Sequence, residues 1–541
     1  MMSLSDYNNK SNTQMDNCLN HPSPALSENY NRKSVKTFFY FRHANVPKNL
    51  GIKCVPTLFM TNLNHISKVK VISFLLGSTV TFLVMASYIM MWDKKVPLFT
   101  AMPFELGPVV IQGSRKPTEV SFENSLIDIN LRERITSSIQ EYTPRKVPEE
   151  KDVIGTDSNL FSVFPRQFLP GIKSPCWYEE LPAEVSDQFI TDLYRTNRFA
   201  MFSRGFNRAC HQLRANFRQH LTQRDGKSYR LRCLPYFYVI GQPKCGTTDL
   251  FRRLLIHPAV KFNTIKEPHW WTRKRFGYIR FKEGSQENYP VEHYLDLFDL
   301  AANNILEGLR RNSSEDHRAQ QITTGEASVS TMWDNQGWSH LHRDSEDHEP
   351  PFLVQDFIHT VQPNARIIIM LRNPVERLYS DYLYFTTADK SAEDFHEKVT
   401  VSVKVFQTCL SERSLRSCIY RTSTFKSMPV RLNLGVYFVY ILDWLTVFHK
   451  EQILVLQLED YSTNIKATMK RVFDFLRVGP LSEELEAVLV KHPMFNTRRT
   501  KDKKLGPMLP ATKDLLDKFY QPFNQKLAEV LKNNSFLWSD T

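Results

Sequence analysis

The sequence lacks two features that would place it in common classes of protein. It has no internal repeat, which excludes solenoids and other repeat architectures. It also has no spacing of Cys and His that is typical of structural zinc sites. The segment 340–348, HLHRDSEDH, is rich in His and acidic residues, but we interpret it as a solvated loop and expect no metal in this protein.

Acidic residues are too few to balance the basic ones. The chain of 541 residues contains 57 Asp and Glu against 70 Lys and Arg, a formal net charge of +13. Residues 1–70 hold nine of the basic and three of the acidic residues, so this tail carries +6 and the rest of the chain carries +7. This moderate excess suits a polyanionic partner without identifying it.

Uncharged, mostly apolar residues run for 22 positions at Val71–Trp92. As a helix, this segment is long enough to cross a hydrocarbon core of roughly 30 Å. It begins too far into the chain for a cleaved signal peptide, and the basic tail favours a cytosolic N-terminus. We therefore predict a single-pass type II signal anchor at 71–92 with the following residues in the lumen. A buried soluble helix is the alternative.

The cysteines and sequons that follow the predicted anchor are consistent with a lumenal location. An oxidising lumen allows disulfides, and Cys409 and Cys418 are close enough in sequence to close a short loop. The other pairings cannot be derived from sequence. Asn312 and Asn533 begin Asn-X-Ser sequons and are predicted glycosylation sites. Six of the eight cysteines follow the anchor: Cys176, Cys210, Cys233, Cys245, Cys409 and Cys418.

The distribution of residue types predicts the organisation of the chain. Residues 1–70 are polar and irregular, and we expect a disordered cytosolic tail. Residues 93–160 mix Pro, Lys and Glu without periodicity, which indicates a stem. Residues 161–234 look helical and basic, which predicts an N-terminal extension of the globular domain. Residues 235–541 alternate strand-like and helix-like segments, which predicts an α/β domain with a central parallel sheet.

Four short apolar runs are the predicted strands of this sheet, at 236–240, 260–262, 365–371 and 453–458. In sheets of this type, ligands bind at the carboxyl ends of the strands. The polar residues of interest follow three of these runs.

The most informative segment follows the first predicted strand. Gly241 and Gly246 enclose the turn GQPKCG, and Thr247 and Thr248 then open a helical pattern. The N–H groups of such a turn and the N-terminus of the next helix form a cradle for phosphate or a similar anion. A nucleotide triphosphatase has lysine directly after the second glycine, whereas Lys244 precedes it by two positions. The alternative is an ordinary turn with a surface lysine.

Glu267 and His269 follow the second predicted strand, in KEPHWW at 266–271. Two residues apart in an extended segment, their side chains point the same way. Glu267 is therefore a candidate general base for an alcohol, with His269 as its partner. A surface turn followed by two core tryptophans is the alternative interpretation.

Arg372 and Ser380 follow the third predicted strand. A triphosphatase usually has an Asp at such a strand end to bind Mg²⁺. Arg372 instead indicates that a guanidinium holds a phosphate without a metal, and Ser380 on the next helix can donate to the same phosphate. Either residue alone would be an unremarkable polar side chain.

These three motifs, in this order, resemble those of the membrane-anchored Golgi sulfotransferases. GQPKCGTTDL resembles the loop that holds the 5′-phosphosulfate of 3′-phosphoadenylyl sulfate, and LRNPVERLYSDYLYF resembles the segment that binds its 3′-phosphate. KEPHWW resembles the segment of glycosaminoglycan O-sulfotransferases that carries a catalytic Glu and His. FYQPFNQKL at 519–527 resembles the closing helix of the family. The resemblance covers about residues 235–530.

The resemblance implies a P-loop-like sulfotransferase fold, with 3′-phosphoadenylyl sulfate as co-substrate and no required metal. It implies catalytic roles for Lys244, Glu267 and His269. It assigns these residues to the nucleotide: Lys244, Cys245, Gly246, Thr247 and Thr248 to the 5′-phosphosulfate, and Arg372 and Ser380 to the 3′-phosphate. The basic run 498–504 lies where related enzymes have a loop that covers the cofactor.

The resemblance also implies a partner and a location. We expect a sulfated glycosaminoglycan acceptor, chondroitin or dermatan sulfate, and no nucleic acid. We expect a Golgi membrane protein, and a homodimer is compatible with the family. Several heparan sulfotransferases place a lysine after a Gly-Glu pair that corresponds to Gly325-Glu326, whereas this sequence has Ala327. This difference argues against heparan specificity.

Two other functions are open at this point. A kinase-like phosphoryl transferase would need ATP and a metal, but the Walker-type lysine and a strand-end Asp are both missing. A lumenal glycosaminoglycan-binding protein without activity would not need both Lys244 and Glu267, which are intact.

Overall fold

The computed structural model describes residues 131–182, 200–262, 265–277, 289–311, 321–337, 349–386, 389–495 and 497–539. The predicted tail and anchor, Asn312 and the His-rich segment 340–348 lie outside these residues. Within the described ranges, no helix is both long enough and apolar enough to cross a membrane.

Eight strands in the described residues form two sheets. The first is antiparallel, has the order β1-β3-β2, and consists of β1 (Cys176–Glu180), β2 (Thr222–Arg224) and β3 (Lys227–Cys233). The second is parallel, has the order β5-β6-β4-β7-β8, and consists of β4 (Phe237–Gly241), β5 (Val260–Phe262), β6 (Thr323–Glu326), β7 (Arg366–Leu371) and β8 (Ile453–Gln457).

Helices precede, connect and follow these strands. In chain order the α-helices are α1 (131–140), α2 (Glu150–Gly155), α3 (Ser158–Ser162), α4 (Ala200–Ala215), α5 (Thr247–Leu254), α6 (Val291–Leu295), α7 (Asp299–Arg310), α8 (Val354–Val361), α9 (Pro374–Phe385), α10 (Ala392–Glu412), α11 (Leu415–Tyr420), α12 (Thr422–Ser427), α13 (Tyr437–Leu445), α14 (Leu458–Thr463), α15 (Ile465–Leu476), α16 (Glu483–Lys491), α17 (Thr500–Lys503) and α18 (Pro510–Leu531).

The predicted α/β fold with a central parallel sheet is confirmed. The four predicted strands are β4, β5, β7 and β8, with ends that agree to within one residue. Strand β6, TTGE, was not predicted because it is short, polar and contains glycine. Its register places Gly325 opposite Phe237, and a Cβ on Gly325 would lie 2.4 Å from the Phe237 ring. Glycine is therefore needed for this strand to pair.

Strand β4 lies at the topological switch point of the parallel sheet. The chain leaves β4 toward β5 on one side, returns through β6, and then crosses to β7 on the other side of β4. Connections that diverge in this way open a crevice at the carboxyl end of the central strand. The strand order therefore places the turn after β4 in that crevice.

The hydrophobic core lies on both faces of the parallel sheet because successive side chains of a strand point to opposite faces. Tyr238 and Ile240 of β4 belong to a large cluster with helices α9, α13 and α18. Phe237 and Val239 belong to a second cluster with α5 and α15. Packing on both faces explains why β4 and β7, which are buried, and β8, which is half-buried, appear in the sequence as continuous apolar runs.

The predictions for residues 93–234 need two corrections. Residues 131–160, assigned to the stem, fold against the domain, since Leu131, Ile135 and Leu160 are buried in the larger cluster. Residues 161–234 contain the predicted helix as α4, but they also contain the antiparallel sheet. Its strands were missed because basic residues alternate with apolar ones in β3, KSYRLRC, and the whole segment looked basic and helical.

The disulfides tie local elements together. Cys409 and Cys418 are bonded, as the sequence allowed, and join the end of α10 to α11. Cys176 and Cys233 are directly paired residues of β1 and β3 and form the second disulfide. Cys210 and Cys245 are buried and belong to neither disulfide.

One buried arginine connects the antiparallel sheet to helix α7. The side chain of Arg232 is fully buried, and its Nη1 lies 2.7 Å from Asp296 Oδ1 and 2.8 Å from Asp299 Oδ1. Its Nε lies 3.0 Å from Glu179 Oε2. Removing one partner of a buried ion pair leaves uncompensated charge in the interior. Arg232 therefore compensates the negative charge of two buried carboxylates, Asp296 and Asp299.

Replacing this arginine should destabilise the domain strongly. We expect Arg232→Met to lower the free energy of unfolding by about 3–5 kcal/mol, because Asp296 and Asp299 lose their nearest cation and keep only Arg230, at 3.7 Å from each. Urea denaturation of the full chain measures this change. The control is Lys227→Met, which removes an exposed lysine of the same strand, paired with Glu180 on the surface. A midpoint for Arg232→Met equal to that of the control would contradict the role of the cluster.

Candidate active site

The turn between β4 and α5 requires two residues with left-handed backbone conformations. Gly246 has φ = 86°, and a Cβ at this position would lie 2.6 Å from Leu458 Cδ1. Lys244 has φ = 68° although it carries a side chain. The N–H of Gln242 donates to the carbonyl of Met370 at 2.8 Å, which anchors the turn to β7. The sequence thus folds here into a compact turn with Lys244 at its crown.

Lys244 is surrounded by other cations. Its Nζ lies 3.9 Å from the centroid of the Tyr384 ring, and it has no carboxylate ion pair within the described residues. Burial lowers the pKa of Lys244 to about 8; Asp381 acts in the opposite direction, and nearby arginines lower the pKa further. A lysine held this way favours an incoming anion, which would supply the missing negative charge.

The other residues of the turn divide into two groups. Thr247 and Thr248 line a cavity at the N-terminus of α5, the end of a helix that attracts anions. Gly246 lines the same cavity. Cys245 instead packs its buried side chain into the cluster behind the sheet, and its N–H donates to the carbonyl of Gln242 at 3.3 Å. Its thiol therefore supports the turn from behind.

Arg372 follows the last residue of β7, and Ser380 lies in helix α9. Asn373 caps this helix, since its Oδ1 accepts the N–H of Val375 at 3.0 Å. Arg372 contacts Glu376 at 3.3 Å through Nη2, with 22% of its side chain exposed. Both Arg372 and Ser380 line the same cavity as the turn.

This cavity has a volume of about 410 Å³ and brings together residues from three separate motifs. Lys244, Glu267, Arg372 and Ser380 all line it. Arg498, from the predicted covering region 498–504, lines it as well, and its guanidinium lies 5.3 Å from the centroid of the Tyr379 ring. An anionic nucleotide and a nucleophile held opposite Glu267 would meet in this space.

The segment around Glu267 differs from the prediction in conformation. It is not extended: Glu267 and His269 have φ values of 61° and 53°. The two side chains nevertheless meet, with Glu267 Oε2 and His269 Nε2 separated by 3.6 Å. His269 does not line the cavity and reaches it only through Glu267. The tryptophans that follow, Trp270 and Trp271, are buried against Tyr294, which confirms core packing.

The neighbours of Glu267 keep its carboxyl group ionised. Burial alone would raise the pKa of Glu267, but Lys266 and His269 outweigh burial and hold the pKa well below its usual range. Glu267 Oε1 accepts a hydrogen bond from Lys266 Nζ. Burial lowers the pKa of His269 to about 4, and its contact with the Glu267 carboxylate offsets this only in part. At neutral pH the pair therefore consists of a carboxylate and a neutral imidazole, with Oε2 as the oxygen that remains to accept a proton.

Two groups of site residues were not found from the sequence. Asp249, in the first turn of α5, accepts from Arg253 Nε at 2.8 Å and from the N–H of Phe495 at 2.9 Å, and it bonds the Tyr461 hydroxyl. Asp249 and Arg253 are four residues apart on one helix, and this spacing could have identified them from the sequence as an ion pair.

The second group is the exposed aromatic pair Tyr384 and Phe385 at the end of α9, which no pattern in the sequence indicated as part of the site.

The cationic side chains that line the cavity suit a nucleotide with two anionic groups. Lys244 lacks a carboxylate partner in the described structure, and Arg372 faces the same space from the neighbouring strand. Within the described residues, no group of three or more His, Cys, Asp or Glu could hold a metal ion. The position after β7, where a triphosphatase carries a metal-binding Asp, is Arg372.

Comparison with known proteins identifies the family. Residues 235–528 match the model of the sulfotransferase domain. The chain is 49% identical over 487 residues to human carbohydrate sulfotransferase 15, covering 87% of this chain and 86% of that protein. It is 24% identical over 320 residues to mouse bifunctional heparan sulfate N-deacetylase/N-sulfotransferase 4, covering 55% of this chain and 30% of that protein. A solved sulfotransferase structure from Alicyclobacillus acidocaldarius aligns with a TM-score of 0.33 and 20% identity, over 56% of this chain and 96% of that one.

The domain match covers more than half of the chain, and the similarity to the human relative extends over most of both proteins. The chain therefore belongs to the sulfotransferase family and is a carbohydrate sulfotransferase.

Proposed function

We propose that this enzyme transfers sulfate from 3′-phosphoadenylyl sulfate to the 6-hydroxyl of N-acetylgalactosamine 4-sulfate in chondroitin or dermatan sulfate. The product is the disulfated unit of chondroitin sulfate E. The fold implies the donor. The acceptor rests on the sequence motifs and on the similarity to carbohydrate sulfotransferase 15.

One observation carries the proposal: Lys244, Glu267, Arg372 and Ser380 line one cavity. The two cations come from neighbouring strands and suit two separate anionic groups of one nucleotide. Glu267 lies in the same cavity as an ionised base. A binding protein without activity has no need for a carboxylate beside an anion cradle, which favours an enzyme.

When bound, 3′-phosphoadenylyl sulfate supplies the sulfuryl group and a nucleotide leaving group. Arg372 and Ser380 orient the donor through its 3′-phosphate. Lys244, protonated, stabilises the negative charge that develops on the bridging oxygen, and N–H groups of 244–248 support the neighbouring oxygens. Glu267 accepts the proton of the attacking hydroxyl through Oε2, while Lys266 holds the other oxygen in place.

The wall of the cavity near α9 suits a sulfated sugar. Tyr384 and Phe385 expose about half of their side chains there, 48% and 49%. The guanidinium of Arg431 lies 4.3 Å from the centroid of the Phe385 ring and is held by Asp381. Exposed aromatic faces can pack against sugar rings, and an adjacent guanidinium can bind a sulfate. Ala327, in place of lysine, favours a chondroitin-type acceptor over heparan.

The cellular setting is part of the same proposal. We place the enzyme in the Golgi membrane as a type II protein anchored by 71–92, with the catalytic domain in the lumen. The two disulfides support this location, because disulfides form and persist in oxidising compartments. Asn533 is exposed, as a glycosylation acceptor must be, and Asn312 is the second predicted acceptor.

Disaccharide analysis tests the reaction. The full chain, incubated with 3′-phosphoadenylyl sulfate and chondroitin sulfate A, should produce disaccharides that carry both 4- and 6-sulfate. Lys244→Ala should lower kcat by about 10²–10³-fold, and Glu267→Gln by about 10²–10⁴-fold. The matched controls are Lys450→Ala and Glu451→Gln, an exposed pair before β8. Normal turnover in either site variant, or 6-sulfate only on unsulfated residues, would refute the assignment.

Donor binding tests the two phosphate sites independently of turnover. Arg372→Ala should weaken binding of adenosine 3′,5′-bisphosphate by about 10–100-fold, because a charge-assisted contact is lost. Binding of AMP, which has no 3′-phosphate, should change little. Calorimetry with both nucleotides measures the difference. Equal losses for the two ligands would show that Arg372 does not contact the 3′-phosphate.

The low pKa of Lys244 predicts an alkaline limit on activity. Lysine stabilises the leaving group only when it is protonated, so kcat/KM for the donor should fall as pH rises through about 8 in the free enzyme. In Lys244→Arg, the guanidinium stays protonated throughout this range. The decrease in kcat/KM for the donor should therefore move above pH 10, even if the activity of this variant is lower at every pH. A pH profile from 6 to 10 measures both enzymes; an identical alkaline limb in the two would contradict the assignment to Lys244.

A further inference from the structure

We infer that Glu326 and Ser328 are positioning residues that hold the general base Glu267 in its unusual backbone conformation. This inference rests on the proposed function, because it assigns Glu267 the role of base. Neither residue lines the cavity, and both are buried behind it, with 1% of each residue exposed.

The segment that carries the base needs external support. Glu267 and His269 both adopt left-handed conformations, which are unfavourable for residues that carry a side chain. Such conformations persist only where surrounding contacts hold them. Here the contacts come from the turn that follows β6.

Three hydrogen bonds link this turn to the segment. The N–H of Glu267 donates to the carbonyl of Ala327 at 2.9 Å. The N–H of His269 donates to Ser328 Oγ at 3.0 Å. His269 Nδ1 and Ser330 Oγ are 2.6 Å apart. The two backbone bonds lie on either side of Pro268, so together they fix the orientation of the Glu267 side chain.

Glu326 completes the arrangement by fixing the serine. Ser328 Oγ accepts the N–H of His269, so its own proton is free to donate, and Glu326 Oε1 lies 2.5 Å away as the acceptor. The chain of contacts therefore runs from the carboxyl of Glu326 through Ser328 to the backbone of His269. Glu326 Oε2 has no hydrogen-bond partner among the described residues.

The environment of Glu326 is consistent with a neutral carboxyl in mildly acidic solution. Burial raises the pKa of Glu326 to about 7, and its hydrogen bond with Ser328 and the charge of Lys266 offset burial only in part. Glu267 also faces it and raises the pKa. The other titratable groups near it are Tyr238 of β4 and Tyr294 of α6.

Two consequences follow for catalysis. Below pH 7 the neutral acid can be replaced by an amide of the same shape, which also accepts from Ser328. Above pH 7 Glu326 becomes a second carboxylate close to Glu267, which changes the charge around the base. If the Glu326 carboxyl served only to stabilise the fold, replacing it by an amide would affect stability alone. The pH profile of kcat would then be the same in Glu326→Gln and in wild type.

The experiment compares four variants of the full chain with wild type, using 3′-phosphoadenylyl sulfate and chondroitin sulfate A. Ser328→Ala and Glu326→Ala should lower kcat on the order of 10–100-fold, because the base is displaced, with the KM for the donor within about twofold of wild type. Glu326→Gln should keep kcat near wild type at pH 6 and should lack the change in kcat that wild type shows near pH 7.

The control is Ser402→Ala. Ser402 is also buried, donates to the Lys398 carbonyl and accepts the N–H of Val430, but it lies in α10 and does not line the cavity. It should match Ser328→Ala in thermal midpoint while kcat stays at the wild-type value. An equal loss of kcat in Ser402→Ala would overturn the inference, because the effect would then be general instability.

Three further results would also overturn it: wild-type kcat in Ser328→Ala, a loss in Glu326→Gln as large as in Glu326→Ala, or a pH profile of Glu326→Gln identical to that of wild type. If the alanine variants do not fold, the pH profile of Glu326→Gln still decides. An inactive wild type would refute the proposed function itself and the inference with it. An active wild type with unaffected variants would refute only the inference.

Discussion

The cations around the carboxyl end of β4 repel one another, and much of the site depends on how the fold holds them together. Lys244 interacts unfavourably with Arg372, Arg431 and Arg499, and only Asp381 among its main electrostatic neighbours favours its charged form. Arg431 and Arg499 are kept in place by Asp381 and Asp502. These two aspartates partly neutralise the charges of Arg431 and Arg499. Lys244 and Arg372 line the cavity. An anionic donor would relieve the remaining repulsion, so the same arrangement that costs stability favours binding.

Glu267, the proposed base, is held by a different means. Positive charge surrounds Lys244 and Arg372 on one side of the cavity, whereas on the other side a hydrogen-bonded turn after β6 holds Glu267 through backbone contacts. Lys266 keeps the carboxylate ionised, and the half-buried imidazole of His269 is neutral. One half of the cavity is thus electropositive, and in the other half backbone hydrogen bonds fix the position of Glu267. In the proposed reaction, this division would separate binding of the sulfate donor from activation of the acceptor hydroxyl.

Local patterns in the sequence were sufficient for the apolar strands and for the turn after β4. β4 and β7 are buried on both faces, and the half-buried β8 packs against the clusters on both faces, so all three appear as continuous apolar runs. β6 could not be found in this way, since its four residues TTGE are buried without being apolar and pair only because Gly325 accommodates Phe237. The antiparallel sheet was missed for a related reason. Arg232 of β3 is buried by a cluster of acids that comes from Glu179 and from residues more than 60 positions later, and no local pattern reveals such a partner.

The sequence by itself determined the chemistry of the site: the anion turn with Lys244, the Glu267 and His269 pair, and the Arg372 and Ser380 pair are all present as short motifs. The tertiary structure decided which of them meet and how. The crossing of the chain over β4 brings the motifs to one crevice, and the turn after β6 forces Glu267 into a conformation that an extended segment would not adopt. The physical reason is that residue types specify local turns and burial, whereas contacts between distant segments depend on strand order and on the packing of the whole domain.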